Sequence, residues 1–213
     1  MPNERILPAV VSSDLTIRDR MDEQRRAIHA PRMVEAFEHF AGSAASAKPG
    51  GCTGWRGTLL HIHIAEAASY EMEELNEAHC VAGRGIEGDR YFTGRGIYSK
   101  KADVREVTLI EQEVLDALAR NDPPLQGGPV KLRAQDHRRN LTVRGVPLNH
   151  LVGRRFRVGA VILRGGRLNF PCKYLEKLLG LPVYLPLYNR SGLNCSIERS
   201  GIIRLGDEIE LLN

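Results

Sequence analysis

The residues best equipped for chemistry lie in Asn169-Phe170-Pro171-Cys172-Lys173-Tyr174-Leu175-Glu176. A cysteine follows a proline and opens a helical pattern: Leu175, Leu178 and Leu179 recur at helical spacing, and Gly180 stands where a helix should stop. Pro171 suits a first helical turn, where an N–H has no helix partner to lose. Cys172 is therefore expected at the positive end of a short helix, beside Lys173, and both features favour thiolate over thiol. Thiolate is the form that ligates a metal or carries sulfur. The competing reading is a small buried hydrophobe, the usual fate of a free cysteine.

A second stretch, His137-Arg138-Arg139-Asn140, runs directly into the alternating strand Leu141-Thr142-Val143. Two guanidiniums and an amide at a strand start can fork onto a phosphate or a planar heterocycle. Alternatively they form a solvated basic edge that discourages strand pairing. His61-Ile62-His63-Ile64 places both histidines on one strand face, but with His79-Cys80 they match no zinc-module spacing, so they are expected on a polar face. Gly83-Arg84-Gly85-Ile86-Glu87-Gly88 spells the dinucleotide fingerprint, yet Asp89 to Gly96 has turn composition where the fingerprint needs a helix. A Rossmann site is rejected. The glycines then make a tight exposed loop, and Asp89 and Arg90 are a surface ion pair or the brace of a pocket. Cys195 is expected in the core, with a partner thiol for Cys172 as the alternative.

Several elements must position these residues. Asp19 to Phe40 reads as helix interrupted at Pro31, and Gly42 to Gly54 has linker composition. Residues 1–54 are thus an N-terminal helical arm and linker, packed on its own domain or set against a second subunit as a homodimer contact. From Trp55 the periodicity switches to two. Val104 to Ile110 reads as strand, Glu111 to Arg120 as an amphipathic helix, and Phe156 to Leu163 as a strand interrupted by Gly159. Gly165-Gly166 is expected to turn the chain, and Pro182 to Leu187 to be extended. Many short strands with turn signals and two short helices make residues 55–213 an α+β, mostly β, barrel-like domain.

Composition bounds the partners. With 42% hydrophobic and 26% charged residues the chain should be soluble and globular. A net charge of +4 suits a local anionic ligand and is too small to argue for nucleic acid, and 6% aromatic content argues against a base-stacking surface. The four cysteines lack CxxC spacing, the N-terminus lacks a signal-peptide core, and no apolar run is long enough to span a bilayer. A reducing, cytoplasmic setting with free thiols and no membrane contact is expected.

From about Gly57 to Leu212 the sequence resembles the MOSC domain, named for the molybdenum cofactor sulfurase C-terminus. The landmarks, in order, are Gly85-Ile86-Glu87-Gly88-Asp89-Arg90, Val107-Thr108-Leu109-Ile110, Arg138-Arg139-Asn140-Leu141, Gly145-Val146-Pro147-Leu148, Leu151-Val152-Gly153, Pro171-Cys172, Arg190-Ser191-Gly192-Leu193-Asn194 and Gly206-Asp207. Each is unspecific alone, but their shared order is not. The resemblance implies a MOSC-like β-barrel around a cleft, with Cys172 as molybdenum ligand or persulfide carrier. It implies Arg138, Arg139 and Asn140 near the phosphate of the molybdenum cofactor (molybdopterin). Asp89, Arg90, Lys173, Arg190 and Asn194 complete the candidate cofactor-binding set. Some relatives are fused to a desulfurase that uses pyridoxal phosphate. This chain offers no separate desulfurase domain and no lysine placed as a Schiff-base site, so pyridoxal phosphate is not expected.

Three functions follow for testing. The first is a small molybdenum-dependent oxidoreductase reducing N-hydroxylated or N-oxygenated compounds, served by a redox partner. The second is a sulfur carrier holding a Cys172 persulfide, loaded by a sulfur donor protein. The third is a non-catalytic module binding anions or RNA.

Overall fold

The computed structural model describes residues 55–99 and 105–212. The helix expected over Asp19–Phe40, the Gly42–Gly54 linker and the arm they form lie outside the described residues.

The described chain runs β1 (Arg56–Ile64), β2 (Glu73–Leu75), β3 (Glu77–Val81), β4 (Gly85–Ile86), β5 (Val107–Glu111), α1 (Gln112–Arg120), β6 (Leu141–Arg144), a 3-10 turn (Leu148–Leu151), β7 (Arg155–Val158), β8 (Val161–Leu168), α2 (Lys173–Leu179), β9 (Leu193–Arg199), β10 (Gly201–Arg204) and β11 (Glu208–Leu211). Strands pair in the order β11-β7-β8-β9-β5-β6-β1, and β11 pairs back onto β1, so seven strands close a barrel and β2 hangs on β1 outside the ring. Closure removes the unpaired edges that an open sheet would expose. A small sheet, β10-β3-β4, is not hydrogen-bonded into the ring but packs on the same core through Ala78, Cys80, Ile86 and Ile203. The expected mostly β, MOSC-like barrel is therefore observed.

The barrel interior follows from strand alternation. Leu59, Val107, Leu109, Val143, Phe156, Val158, Leu163, Leu193 and Ile209 are all buried in one cluster. The sole parallel pairing in the ring, β5 with β6, requires a crossover, and α1 supplies it. Leu115 and Leu118 of α1 form a second apolar cluster with Ile110, Val130, Leu175, Val183 and Leu187, and Cys172 packs at its margin. The crossover thus builds the small core on which the cysteine rests.

Several local expectations are corrected. Gly159 does not interrupt one strand; with φ 53° it turns a hairpin between β7 and β8. Gly165-Gly166 makes no turn; it absorbs a register shift inside β8. Pro182 to Leu187 is not extended, because the Leu187 N–H returns to the Val183 carbonyl and the Tyr188 N–H to that of Leu185. His63 shares a face with His61, their ring centroids 5.9 Å apart, as expected, but it is 2% exposed rather than solvated and its Nδ1 has no hydrogen-bond partner. The Gly83–Gly88 run forms the β3–β4 hairpin with no helix after it, as its composition requires.

Candidate functional site

Helix α2 is capped by Cys172 itself. Its backbone is extended (φ −139°, ψ 150°), its thiol makes no capping bond, and Gly180 ends the helix in the left-handed region. The helix therefore begins at Lys173, and Pro171 lies before it rather than in its first turn. Because the thiol does not cap the helix, it remains available to a cavity of about 270 Å³ beside it. Arg138, Arg139, Arg105 and Arg167 line that cavity with Tyr91, Tyr98 and Phe170, and among the described residues no Asp or Glu does. A smaller recess of about 50 Å³ shares Arg138, Arg139 and Cys172 and adds Arg90.

Arg139 is buried, and its donors are used on neutral groups. Nε donates to the Ser191 carbonyl (2.9 Å), Nη2 to Ser191 Oγ (2.6 Å) and Nη1 to the His137 carbonyl (3.0 Å). Burial pushes this guanidinium down to about 10, which still leaves it charged at neutral pH. Ser191 can reach it because Gly192 follows, at φ 93°. A Cβ there would fall 1.8 Å from the Leu109 carbonyl oxygen, so only glycine permits the approach to β5.

His137 sets the backbone of this segment. The Arg139 N–H donates to His137 Nδ1 (2.9 Å), so Nδ1 carries no proton, and Nε2–H must donate to Thr142 Oγ1 (3.0 Å). Burial first, then the neighbouring Arg139 charge, hold this imidazole well below the usual histidine range. It is neutral and structural.

Arg138 sits between them at φ 59°, a left-handed backbone that costs a non-glycine residue roughly 1 kcal/mol or more. Its Nη1 donates to the Tyr70 carbonyl (2.6 Å), while Nη2 is buried with no partner. Burial, then the nearby Arg90, push its pKa down. The carbonyl of Arg138 accepts from Arg90 Nη2 (2.9 Å), and Arg90 Nη1 is paired with Asp89 (3.0 Å). Asp89 also accepts from the Ala65 and Tyr91 N–H groups. The sequence pair Asp89-Arg90 is thus a buried brace, with Arg90 neutralised and Arg138 left, among the described residues, without a carboxylate hydrogen-bonded to it.

Of the predicted residues, the structure gathers Cys172, Arg138 and Arg139 at the cavity and Arg90 at its recess. It does not gather the others. Asn140 is fully buried: Oδ1 accepts from the Thr108 N–H (3.2 Å) and Oγ1 (2.8 Å), and Nδ2 donates to the His63 carbonyl (3.2 Å), so the amide staples β5 and β1 to the start of β6. Lys173 is exposed and pairs with Glu176 (2.6 Å). Arg190 caps the Pro186 carbonyl (2.7 Å). Asn194 lies one layer behind, its Oδ1 accepting from Asn169 Nδ2 (2.6 Å). Cys195 is a core thiol raised by burial, and Cys80 another, pushed up to about 12.

Sequence reasoning missed Arg105, Arg167, Tyr91 and Tyr98 as cavity residues. Arg167 and Arg105 stand at strand ends, where a lone arginine carries no distinguishing pattern. Only their convergence in space marks them.

The fold agrees with comparisons to known proteins. The YuaD protein from Bacillus subtilis shares 21% identity at a TM-score of 0.61, over 74% of this chain and 97% of that one. YiiM from Geobacillus stearothermophilus shares 13% at 0.55, over 74% and 75%. YiiM from Escherichia coli shares 16% at 0.52, over 76% and 71%. These similarities establish the fold. No curated protein matches the chain. The family model described as the MOSC domain matches residues 99–210, more than half of the sequence, and the chain belongs to the MOSC domain family.

Proposed function

We propose that the Cys172 cavity holds the molybdenum cofactor, with Cys172 as the protein's ligand to the metal, and that the protein reduces N-hydroxylated or N-oxygenated compounds. One observation carries this reading: a reachable thiol shares a cavity with Arg138 and Arg139, neither of which has a carboxylate partner among the described residues. The donor set suits the group. A thiolate is a soft donor matched to a metal already held by dithiolene sulfur, and the buried Arg138 Nη2 lacks the acceptor that a phosphate oxygen would provide.

When bound, the cofactor supplies a two-electron centre able to accept an oxygen atom. The chain's own residues do the rest. Arg138 and Arg139 hold the phosphate and fix the orientation of whatever reaches Cys172. Asp89, through Arg90, keeps Arg138 in place. Tyr91, Tyr98 and Phe170 give the cavity an apolar, planar wall that suits a flat substrate and limits the water around it.

The test is metal and pterin analysis of protein purified from cells that make the cofactor, wild type beside Cys172→Ser. Near-stoichiometric molybdenum and pterin in wild type, with molybdenum lost in the variant, supports the reading. Trace metal in both overturns it. A Cys172 persulfide found by mass spectrometry without metal would favour the sulfur carrier. Salt-sensitive RNA binding with neither would favour the non-catalytic module.

A further inference from the structure

The wall of the Cys172 cavity holds a pair of amides whose hydrogen bonds do not balance. Asn169 lines the cavity beside Phe170 and Pro171. Its Nδ2 donates to Asn194 Oδ1 (2.6 Å), and its main-chain N–H donates to the Gly192 carbonyl (2.7 Å). Asn194 is fully buried in β9, its backbone set between Thr108 of β5 and Arg167 of β8, and its own Nδ2 has no partner. Asn169 is only half-buried. Oδ1, the other end of its amide, is neither bonded to a described residue nor buried.

Electrostatics explains which end faces the cavity. With both amides turned over, the Asn194 nitrogen would gain a partner in Asn169 Oδ1. That arrangement would aim the positive, N–H end of the Asn169 amide at a cavity lined by Arg105, Arg138, Arg139 and Arg167. The arrangement observed aims the negative, carbonyl end there and leaves one amide nitrogen unpaired behind the wall. The lining is otherwise rich in donors: four guanidiniums, two phenols and a thiol. The Thr108 hydroxyl is spent on Asn140, donating to Oδ1 and accepting from the N–H. Among the described lining residues, Asn169 has the only side-chain carbonyl.

We propose that Asn169 is a specificity-determining residue, its Oδ1 accepting from the N–OH of a planar N-hydroxylated compound, and that Asn194 is the positioning residue that keeps this oxygen turned into the cavity. The inference deepens the proposed function and rests on it. The arginines recognise an anion, and a neutral N–OH finds no acceptor in them. Asn169 supplies that acceptor, while Tyr91, Tyr98 and Phe170 supply the surface for a flat ring. An analogue without the hydrogen leaves Oδ1 unpaired, and a site built around one hydrogen bond rejects it.

The experiment is calorimetric titration of the full-length protein as purified, without reductant, so that binding alone is read. The probes are benzaldoxime, whose one strong donor is its N–OH, and its O-methyl ether, which has none. The preference for oxime over ether should be about tenfold smaller in Asn169→Leu than in wild type, with the loss falling on the oxime. The extra methyl of the ether meets both proteins and cancels. Asn194→Leu leaves Asn169 in place but frees its amide to turn, and should lose about threefold of the preference.

A residue that only packs would shift both probes equally. An equal preference in wild type and Asn169→Leu, or no measurable binding of either probe by wild type, would overturn the proposal. A full preference in Asn194→Leu would remove the positioning role. Chemical denaturation separates loss of fold from loss of the bond, and Asn169→Ala repeats the test should leucine not fit. Molybdenum is measured in the same samples. A preference that depends on Asn169 in metal-free protein would sink the cofactor reading alone, and molybdenum that tracks Cys172 without such a preference would sink only the role of Asn169.

Discussion

The barrel wall and the cavity use arginine in opposite ways. On the wall, Glu198 accepts from Arg155 Nε (2.6 Å) and Arg164 Nε (2.5 Å), Glu210 from Arg157 Nη2 (2.6 Å), and Glu208 from Arg56 Nη1 (2.5 Å). Each charge has an opposite charge beside it, in water. In the cavity, Arg138 and Arg139 donate, among the described residues, only to carbonyls and a hydroxyl. Burying an unmatched charge is expensive, and a fold keeps such an arrangement only when something else in it requires that charge. The wall arginines cancel charge; under the proposed function, Arg138 and Arg139 would keep theirs for an anion.

The largest effect should come from removing the cavity charge. Arg139→Met is expected to weaken retention of a phosphate-bearing ligand by roughly 30-fold to 150-fold, the worth of a bidentate charge-assisted contact at about 2–3 kcal/mol. Stability should fall as well, by roughly 1–3 kcal/mol, because the Ser191 carbonyl and hydroxyl and the His137 carbonyl lose their donor, offset in part by removal of a desolvated charge. Phosphate titration calorimetry and chemical denaturation measure the two sides. Strong destabilisation with unchanged phosphate affinity would make Arg139 a structural arginine and erase the contrast.

A carboxylate placed in the cavity should convert it toward the wall. Asn169→Asp preserves side-chain size and adds a charge among the lining arginines. Asn169 Nδ2 now donates to Asn194 Oδ1, and Asn194 Nδ2 has no partner. The Asn194 amide can therefore turn over and donate to the new carboxylate. About a tenfold loss of phosphate affinity is expected, near 1.4 kcal/mol, with stability held or slightly raised. Unchanged affinity in the same titration would mean the cavity charge is not directed at an anion.

Sequence and structure part company along the same line. Periodicity revealed α1, α2 and the barrel strands, because burying one face of each leaves a repeat of 3.6 or 2 in the residue order. The landmarks found Cys172, Arg138 and Arg139. Position within a layer was not visible. Asn140 adjoins Arg139 in sequence, yet alternation turns its amide into the β5–β1 junction while Arg139 faces Ser191. Lys173 adjoins Cys172, yet Cys172 is the extended cap while Lys173 opens the helix and reaches Glu176 three residues on. Tyr98 and Arg105 come from the β4–β5 connection and Arg167 from the end of β8, and only the folding of the barrel brings them to one cavity.

The cavity should also answer to pH where the wall does not. His137 must stay neutral to accept the Arg139 N–H, and its folded pKa lies well below that of the unfolded chain. As pH falls below about 6.5, the unfolded chain takes up a proton that the fold refuses, so stability falls by up to about 1.4 kcal/mol per pH unit for this group. His63, lowered by burial, acts in the same sense. Glu198 and Glu210, lowered mainly by their bonds to arginine, remain charged throughout that window and add nothing to the slope. Urea midpoints should be level from pH 8 to about 7 and decline toward pH 5.5. His137→Gln should flatten the decline, and an equal slope in that variant would assign the effect elsewhere.

The smallest effect belongs to the wall itself. Glu198→Gln removes the charge shared by Arg155 and Arg164, two of the best-formed contacts outside the barrel. Both arginines are nearly half exposed, at 45% and 47%, so water replaces much of what the carboxylate gave. Exposed pairs of this kind are worth about 0.2–1 kcal/mol, and the amide still accepts one hydrogen bond. The shift in denaturation midpoint should shrink further in molar salt, where charges a few ångströms apart are screened. Phosphate affinity should not move, because no wall arginine lines the cavity. If Glu198→Gln instead altered phosphate binding as strongly as Arg139→Met, the two sets of arginines would form one electrostatic system, and pairing with a carboxylate would no longer distinguish them.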